Sequence, residues 1–465
     1  MRAAGGWRTS DVVSTGAQRL PHRVHRPQRW VVWLLAALVA VAAIGVGVDR
    51  AFYSGGTRYS WPPEPCVVQG IDARCGTFIV PENRAKPNGR KIGLRVVVLP
   101  ASAEATPKVA FTFLAGGPGG AATEQALAGR WQSSQLNTFR DFLLVDQRGT
   151  GGSKPPHGAD VTQYGTRMAM DDLDAVRAAL GYRQLDVYGG SYGATAAQVY
   201  LKLHPSSVHT LILSGASAID VPFYGRYAVN AQRALDQLAQ LCASQAPCRK
   251  AFPHWEHQFG ELVKTWNAHP VHGMNGNQLA SVVHDMLRNV NTAVSIPLVV
   301  SHAAKRDYRP LKDAGSGDLG VSLDLMGSSI WCNEPWTGLD ARGPWGTDFD
   351  GYTTALIAEF RQKCSSVPKR AEPPALWRLP TSSRVPVLAL VGGADPQDPV
   401  TNLPDLERHF PDSRIVVLPH LGHELSWDGG CDAMLAHFVA SGTTKGLDTT
   451  PCIDDVTVPP FKLSE

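Results

Sequence analysis

The stretch Leu185-Asp186-Val187-Tyr188-Gly189-Gly190-Ser191-Tyr192-Gly193 decides the reading of this chain. Residues 185–188 form a short, largely apolar run of strand type, and the small, helix-compatible run 194–203 follows the last glycine. A strand that passes into a helix with so short a connection must turn sharply, and the glycines around Ser191 remove the side chains that would clash there. The turn holds the Ser191 hydroxyl in an exposed pose above a helix N-terminus. At this glycine content a bare G-x-S-x-G match arises by chance in roughly one such chain in four, so the strand before it and the helix after it carry its weight. A tight glycine turn without chemistry is the plain alternative.

A serine hydroxyl is a poor nucleophile near neutral pH and needs a base that is itself oriented by an acid. Two later segments offer these groups in the order Ser, Asp, His, each just past a β-branched run. Asp395 lies in Gly392-Gly393-Ala394-Asp395-Pro396-Gln397-Asp398-Pro399 after the run 385–391, and His423 lies in His420-Leu421-Gly422-His423-Glu424 after the run 414–418. Open parallel sheets place their sites beyond the C-terminal ends of their strands, where both would sit. Asp398 and His420 are the rivals, Asp398 three residues further along its turn and His420 nearer its strand. A third loop, Leu114-Ala115-Gly116-Gly117-Pro118-Gly119-Gly120, follows the run 109–114. Its glycines allow backbone N–H groups to approach a developing oxyanion, with Gly116 and Tyr192 as the expected donors. No Lys or Ser/Thr follows in the spacing of a phosphate-binding loop.

Outward from these loops, strand-like runs at 92–99, 109–114 and 142–145 alternate with a helical pattern at 168–180, which predicts an α/β fold with a mostly parallel central sheet. Between about 221 and 380 the pattern is mainly helical, at 225–242, 254–268 and 278–290, and reads as an inserted cap.

These motifs, together with Asp146-Gln147-Arg148-Gly149-Thr150-Gly151, resemble in order and spacing the prolyl aminopeptidase and tripeptidyl aminopeptidase family of α/β-hydrolases, peptidase family S33. The likeness runs from about Cys66 to Cys452. It is greatest to the secreted actinobacterial tripeptidyl-aminopeptidase-like branch, in Cys75-Gly76-Thr77 ahead of the first strands, Cys332-Asn333-Glu334 in the cap and the closing segment up to Cys452. The resemblance implies Ser191 as nucleophile, Asp395 as acid, His423 as base and the main-chain N–H groups of Gly116 and Tyr192 as oxyanion hole. Acyl transfer by such a set needs no metal and no cofactor. This chain has Ala115 where prolyl aminopeptidases usually have His, and D-P-Q-D-P where the family commonly has D-P-V-T-P, departures that bear on substrate preference. An aminopeptidase also holds a free α-ammonium, for which a carboxylate is the natural partner. Glu334, in the family-like C-x-E motif, is the candidate.

The N-terminus is of another kind. Residues 30–48, WVVWLLAALVAVAAIGVGV, carry no charge and as a helix would span about 28 Å, close to the bilayer core. Arg2, Arg8, Arg19, Arg23, Arg26 and Arg29 precede them against the single Asp11, which keeps that flank cytoplasmic and sends the rest outward. The long basic flank favours a retained anchor in the lipid bilayer, while Ala40-Val41-Ala42 offers a cleavage pattern for a signal peptide. The chain's net charge of +3 belongs to this flank: without the seven Arg and two Asp of residues 1–50, 37 basic residues face 39 acidic ones. Nothing in that balance suggests a nucleic-acid partner.

Eight cysteines agree with export. They permit 105 pairings, but they fall into neighbouring twos, and short loops would join Cys66 to Cys75, Cys242 to Cys248, Cys332 to Cys364 and Cys431 to Cys452. The organisation expected is a basic flank over 1–29, the membrane segment over 30–48, a linker over 49–65, the core over 66–220 and 381–455 with the helical cap over 221–380 between, and a tail over 456–465. The expected activity is acyl transfer on peptide substrates. An esterase on the same fold and a catalytically silent binding protein remain as alternatives, because fold does not decide substrate.

Overall fold

A computed structural model describes residues 61–103, 108–315, 317, 323–380, 382–425 and 429–464. The proposed membrane segment lies outside them; among the described residues no helix is long and apolar enough to cross a membrane.

The sheet is built from nine strands: β1 (Glu64–Val68), β2 (Ile71–Pro81), β3 (Lys91–Leu99), β4 (Val109–Leu114), β5 (Asp141–Val145), β6 (Gln184–Gly190), β7 (Val208–Ser214), β8 (Val387–Gly392) and β9 (Ser413–Leu418). Their spatial order is β1-β2-β3-β5-β4-β6-β7-β8-β9. The first three strands meet one another and β5 antiparallel; from β5 through β4 to β9 every pairing is parallel. β4 and β8 are buried at every position, which is why they read in the sequence as continuous apolar runs. On one face of the sheet the helices Thr166–Ala179 and Tyr192–Leu203 pack through Met170, Leu173, Val176, Val199 and Tyr200. On the other, Ala122–Ala128 and Gly430–Ser441 pack through Ala126, Leu127, Leu435 and Phe438.

Between β7 and β8 the chain leaves the sheet and forms a run of helices with a core of its own, in which Leu235, Phe259, Val283, Ile296 and Phe349 are fully or almost fully buried. Its first helix, Phe223–Ser244, reaches back to the loop after β8. Arg233 donates to the carbonyls of Gly393 at 3.2 Å and Asp395 at 3.3 Å, and Asn230 donates to the carbonyl of Gln397 at 2.8 Å.

Two local differences from the sequence reading share a cause. Glu64 and Pro65, expected in a linker, open β1, and Cys75-Gly76-Thr77, expected ahead of the first strands, lie within β2. β1 and β2 form an edge hairpin with much of its surface in water, so its residues lack the apolar run that marks a central strand. Near the C-terminus, Phe461 of the expected tail is buried and Lys462 N–H donates to the carbonyl of Val294 at 3.3 Å.

The four disulfides are Cys66–Cys75, Cys242–Cys248, Cys332–Cys364 and Cys431–Cys452, as the short-loop pairing predicts. Cys66–Cys75 ties the edge hairpin, and Cys332–Cys364 joins two helices of the insertion.

Candidate active site

Ser191 sits where β6 becomes the helix Tyr192–Leu203, with φ 55° and ψ −126°. A non-glycine residue held in such a conformation stores backbone strain, which its surroundings must overcome. Here they do so by close packing: a Cβ placed on Gly193 would lie 2.0 Å from the Leu114 carbonyl oxygen, and one on Gly189 would lie 2.2 Å from that of Gly193. The Ser191 N–H donates to the carbonyl of Ser214 at 2.9 Å, fixing the turn against the end of β7.

The loops after β8 and β9 bring Asp395 and His423 to this serine. His423 Nε2 lies 2.9 Å from Ser191 Oγ, and His423 Nδ1 lies 2.9 Å from Asp395 Oδ2. The other oxygen of Asp395 accepts the N–H groups of Gln397 at 2.8 Å and Asp398 at 2.9 Å. Burial alone would raise the Asp395 pKa, but the His423 charge and these hydrogen bonds hold it below the usual carboxylate range. Burial alone would lower that of His423; Asp395, with help from Asp398, outweighs it and the net shift is upward. Of the two rivals, His420 is exposed on a turn with φ 62°. Asp398 is buried, 3.8 Å from His423 Nδ1 through Oδ2, and its Oδ1 accepts the Ser217 hydroxyl.

Ser191 opens onto a cavity of about 220 Å³. Phe223, Trp331 and Trp336 form an aromatic wall, with ring centroids 5.3–6.2 Å apart, while Ser217, Arg288, Gln397 and Asp398 bring polar groups to the same space. Tyr192 and Gly117 also line it. The Gly116 N–H, expected to face the oxyanion, instead donates to Gln125 Oε1 at 3.1 Å. Glu334 is buried beneath the wall rather than on it. Its Oε1 accepts the Thr166 N–H at 2.7 Å, and its Oε2 meets the Thr166 hydroxyl at 2.7 Å and Trp336 Nε1–H at 2.9 Å. Burial pushes its pKa up to about 7 against the pull of these hydrogen bonds. Thr166 continues the network to the Tyr192 hydroxyl at 2.9 Å, so Glu334 braces two side chains of the cavity without reaching it.

The Asp146–Gly151 segment supports the site from behind. Asp146 accepts the N–H groups of Thr123 and Gly152, both at 2.9 Å, and the fully buried Arg148 guanidinium grips Asp172 through two bonds of 2.7 and 2.8 Å. Sequence reasoning missed the wall residues Phe223, Trp331 and Trp336, and also Arg288 and Ser217. They come from separate helices and loops with no shared motif. Asp398 was visible in the acid loop, but only as a rival acid.

A strand-to-helix turn bearing a serine, with an aspartate and a histidine delivered from the loops after two later strands, defines a class of hydrolase folds. The model of the alpha/beta hydrolase fold family matches residues 113–430, and the chain belongs to that family. Among curated relatives, serine protease Hip1 of Mycobacterium tuberculosis (strain ATCC 25618 / H37Rv) is 28% identical over 290 residues, covering 50% of this chain and 55% of that protein. Proline iminopeptidase of Aeromonas sobria is 31% identical over 180 residues, covering 36% of this chain and 41% of that one. The chain thus spans about half the length of these curated relatives, or less. Among solved structures, proline iminopeptidase of Mycobacterium smegmatis aligns with 79% of this chain and 98% of its own, at a TM-score of 0.41 and 18% identity.

Proposed function

We propose that this chain is an extracytoplasmic serine peptidase that releases short peptides or single residues from free N-termini. The observation that carries the reading is the unbroken line from Ser191 Oγ through both nitrogens of His423 to Asp395, two contacts of 2.9 Å. His423 takes the Ser191 proton as the oxygen attacks the scissile carbonyl, Asp395 stabilises the imidazolium, and water then releases the acyl group. The oxyanion is held by the Tyr192 N–H at the start of its helix and by an N–H of the glycine loop. Because Gln125 engages the Gly116 amide while Gly117 lines the cavity, Gly117 takes the part expected of Gly116. In other enzymes one such donor is worth about 2.7–4 kcal/mol, so this backbone geometry is central to the rate.

The names of the relatives support peptides as the substrate class. Four disulfides support an oxidising compartment, consistent with residues 30–48 acting as the membrane anchor or export signal.

The test has two stages. A fluorophosphonate should label the wild-type protein and fail to label Ser191→Ala; an unlabelled wild type would defeat every hydrolase reading. Panels of peptide p-nitroanilides and p-nitrophenyl esters then separate a peptidase from an esterase. Turnover of esters alone would overturn the peptidase reading.

A further inference from the structure

We infer that Asp398 is the counter-ion for the substrate's free α-ammonium, a specificity role that rests on the peptidase reading above. A free α-ammonium brought into the cavity that receives the acyl residues is matched most strongly by a carboxylate there. Glu334 has both oxygens engaged by Thr166 and Trp336 and does not line the cavity. Among the described lining residues Asp398 is the one carboxylate, and it shares the cavity with Ser191.

Its surroundings fit a cation-binding group. The side chain is 7% exposed, so an arriving charge meets it where water screens little. Oδ1 is held by the Ser217 hydroxyl and the backbone N–H is anchored on Asp395 Oδ1, which together fix the carboxyl's direction. Oδ2 makes no hydrogen bond among the described residues; its nearest cationic partner is His423 Nδ1 at 3.8 Å, and that nitrogen already serves Asp395 at 2.9 Å. Burial pushes the Asp398 carboxyl up to about 7, the state of an acid short of positive charge, and an incoming ammonium favours its ionised form. The other charge lining the cavity, Arg288, has its own acidic neighbours, Asp285 at 3.8 Å and Glu424 at 3.4 Å, which offset its repulsion of a cation.

The experiment compares kcat/KM for alanyl- and trialanyl-p-nitroanilide with that for their N-acetyl counterparts. The wild type should prefer the free amine, and Asp398→Asn, which keeps the size and the Ser217 contact, should reduce that preference at least tenfold, mainly by raising KM for the free series. Asp398→Glu, which restores the charge, should recover part of it. An equal loss on free and acetylated substrates would overturn the proposal and leave Asp398 as a support for His423. A preference lost in Glu334→Gln but kept in Asp398→Asn would overturn it in favour of Glu334. Thermal melts by circular dichroism identify any variant that fails to fold, for which Asp398→Ser with the same substrates decides. A labelled wild type that cleaves no anilide would sink the peptidase reading and this role together, whereas an unchanged ratio in an active Asp398→Asn sinks this role alone.

Discussion

In the proposed mechanism His423 and Asp395, both buried, govern the Ser191 proton, so protonation decides when it moves. His423 accepts that proton only when neutral, and its pKa is raised above the ordinary value of 6.5. Lowering the pH through the raised value protonates the base and removes activity. With p-nitrophenyl acetate, whose charge does not change, the acid limb of kcat/KM should therefore have its midpoint above pH 6.5; a midpoint below it would contradict the Asp395–His423 pairing. Asp395 and His423 were legible in the sequence because each follows its strand within a short loop, so position along the chain nearly fixes position in space. Glu334 and Gly116 were not. Whether Glu334 reaches the cavity depends on Thr166 and Trp336, and whether the Gly116 amide is free depends on Gln125, nine residues away on the next helix.

At the scale of the element, the turn between β6 and its helix depends on backbones that approach more closely than any side chain permits. Gly193→Ala would place a methyl carbon 2.0 Å from the Leu114 oxygen, so the helix must move away from β4. The expected cost is roughly 1–3 kcal/mol, read as a lower urea midpoint, with loss of fluorophosphonate labelling. Gly225 is the control. It lies in the first turn of the helix Phe223–Ser244, where an added Cβ would meet only Pro222 Cβ, at 3.4 Å, and its replacement by Ala should hold or raise the midpoint, since Ala is the better helix former by about 1 kcal/mol. Central strands and long helices were readable because burial or amphipathic spacing marks them. The hairpin of β1 and β2 was not, because its register is set by pairing with β3 rather than by a buried apolar run of its own.

For the whole molecule, alternation of strand and helix made the parallel sheet and its long helical insertion legible. The spatial order was not, since β5 lies between β3 and β4 only after the chain has crossed over. Within the insertion, Cys332–Cys364 closes a loop with a sequence separation of 32. In the chain-entropy account such a link stabilises by roughly 3–4 kcal/mol, so the Cys332→Ser, Cys364→Ser pair should melt several degrees lower. An unchanged melting temperature would show that the insertion's packing alone holds these helices together. Cys332 follows Trp331 and precedes Trp336, so the same variant should alter selectivity among acyl groups more than it alters fluorophosphonate labelling.

Ser191, Asp395 and His423 stand on loops of the sheet, whereas Phe223, Trp331 and Trp336 belong to the insertion and meet them only across the cavity. In the proposed reading the proton-transfer groups and the ammonium's counter-ion Asp398 therefore come from loops of the sheet, while the aromatic wall that meets the acyl side chain comes from the insertion. Changes in the insertion can thus reshape the wall while Ser191, Asp395 and His423 keep their places on the sheet.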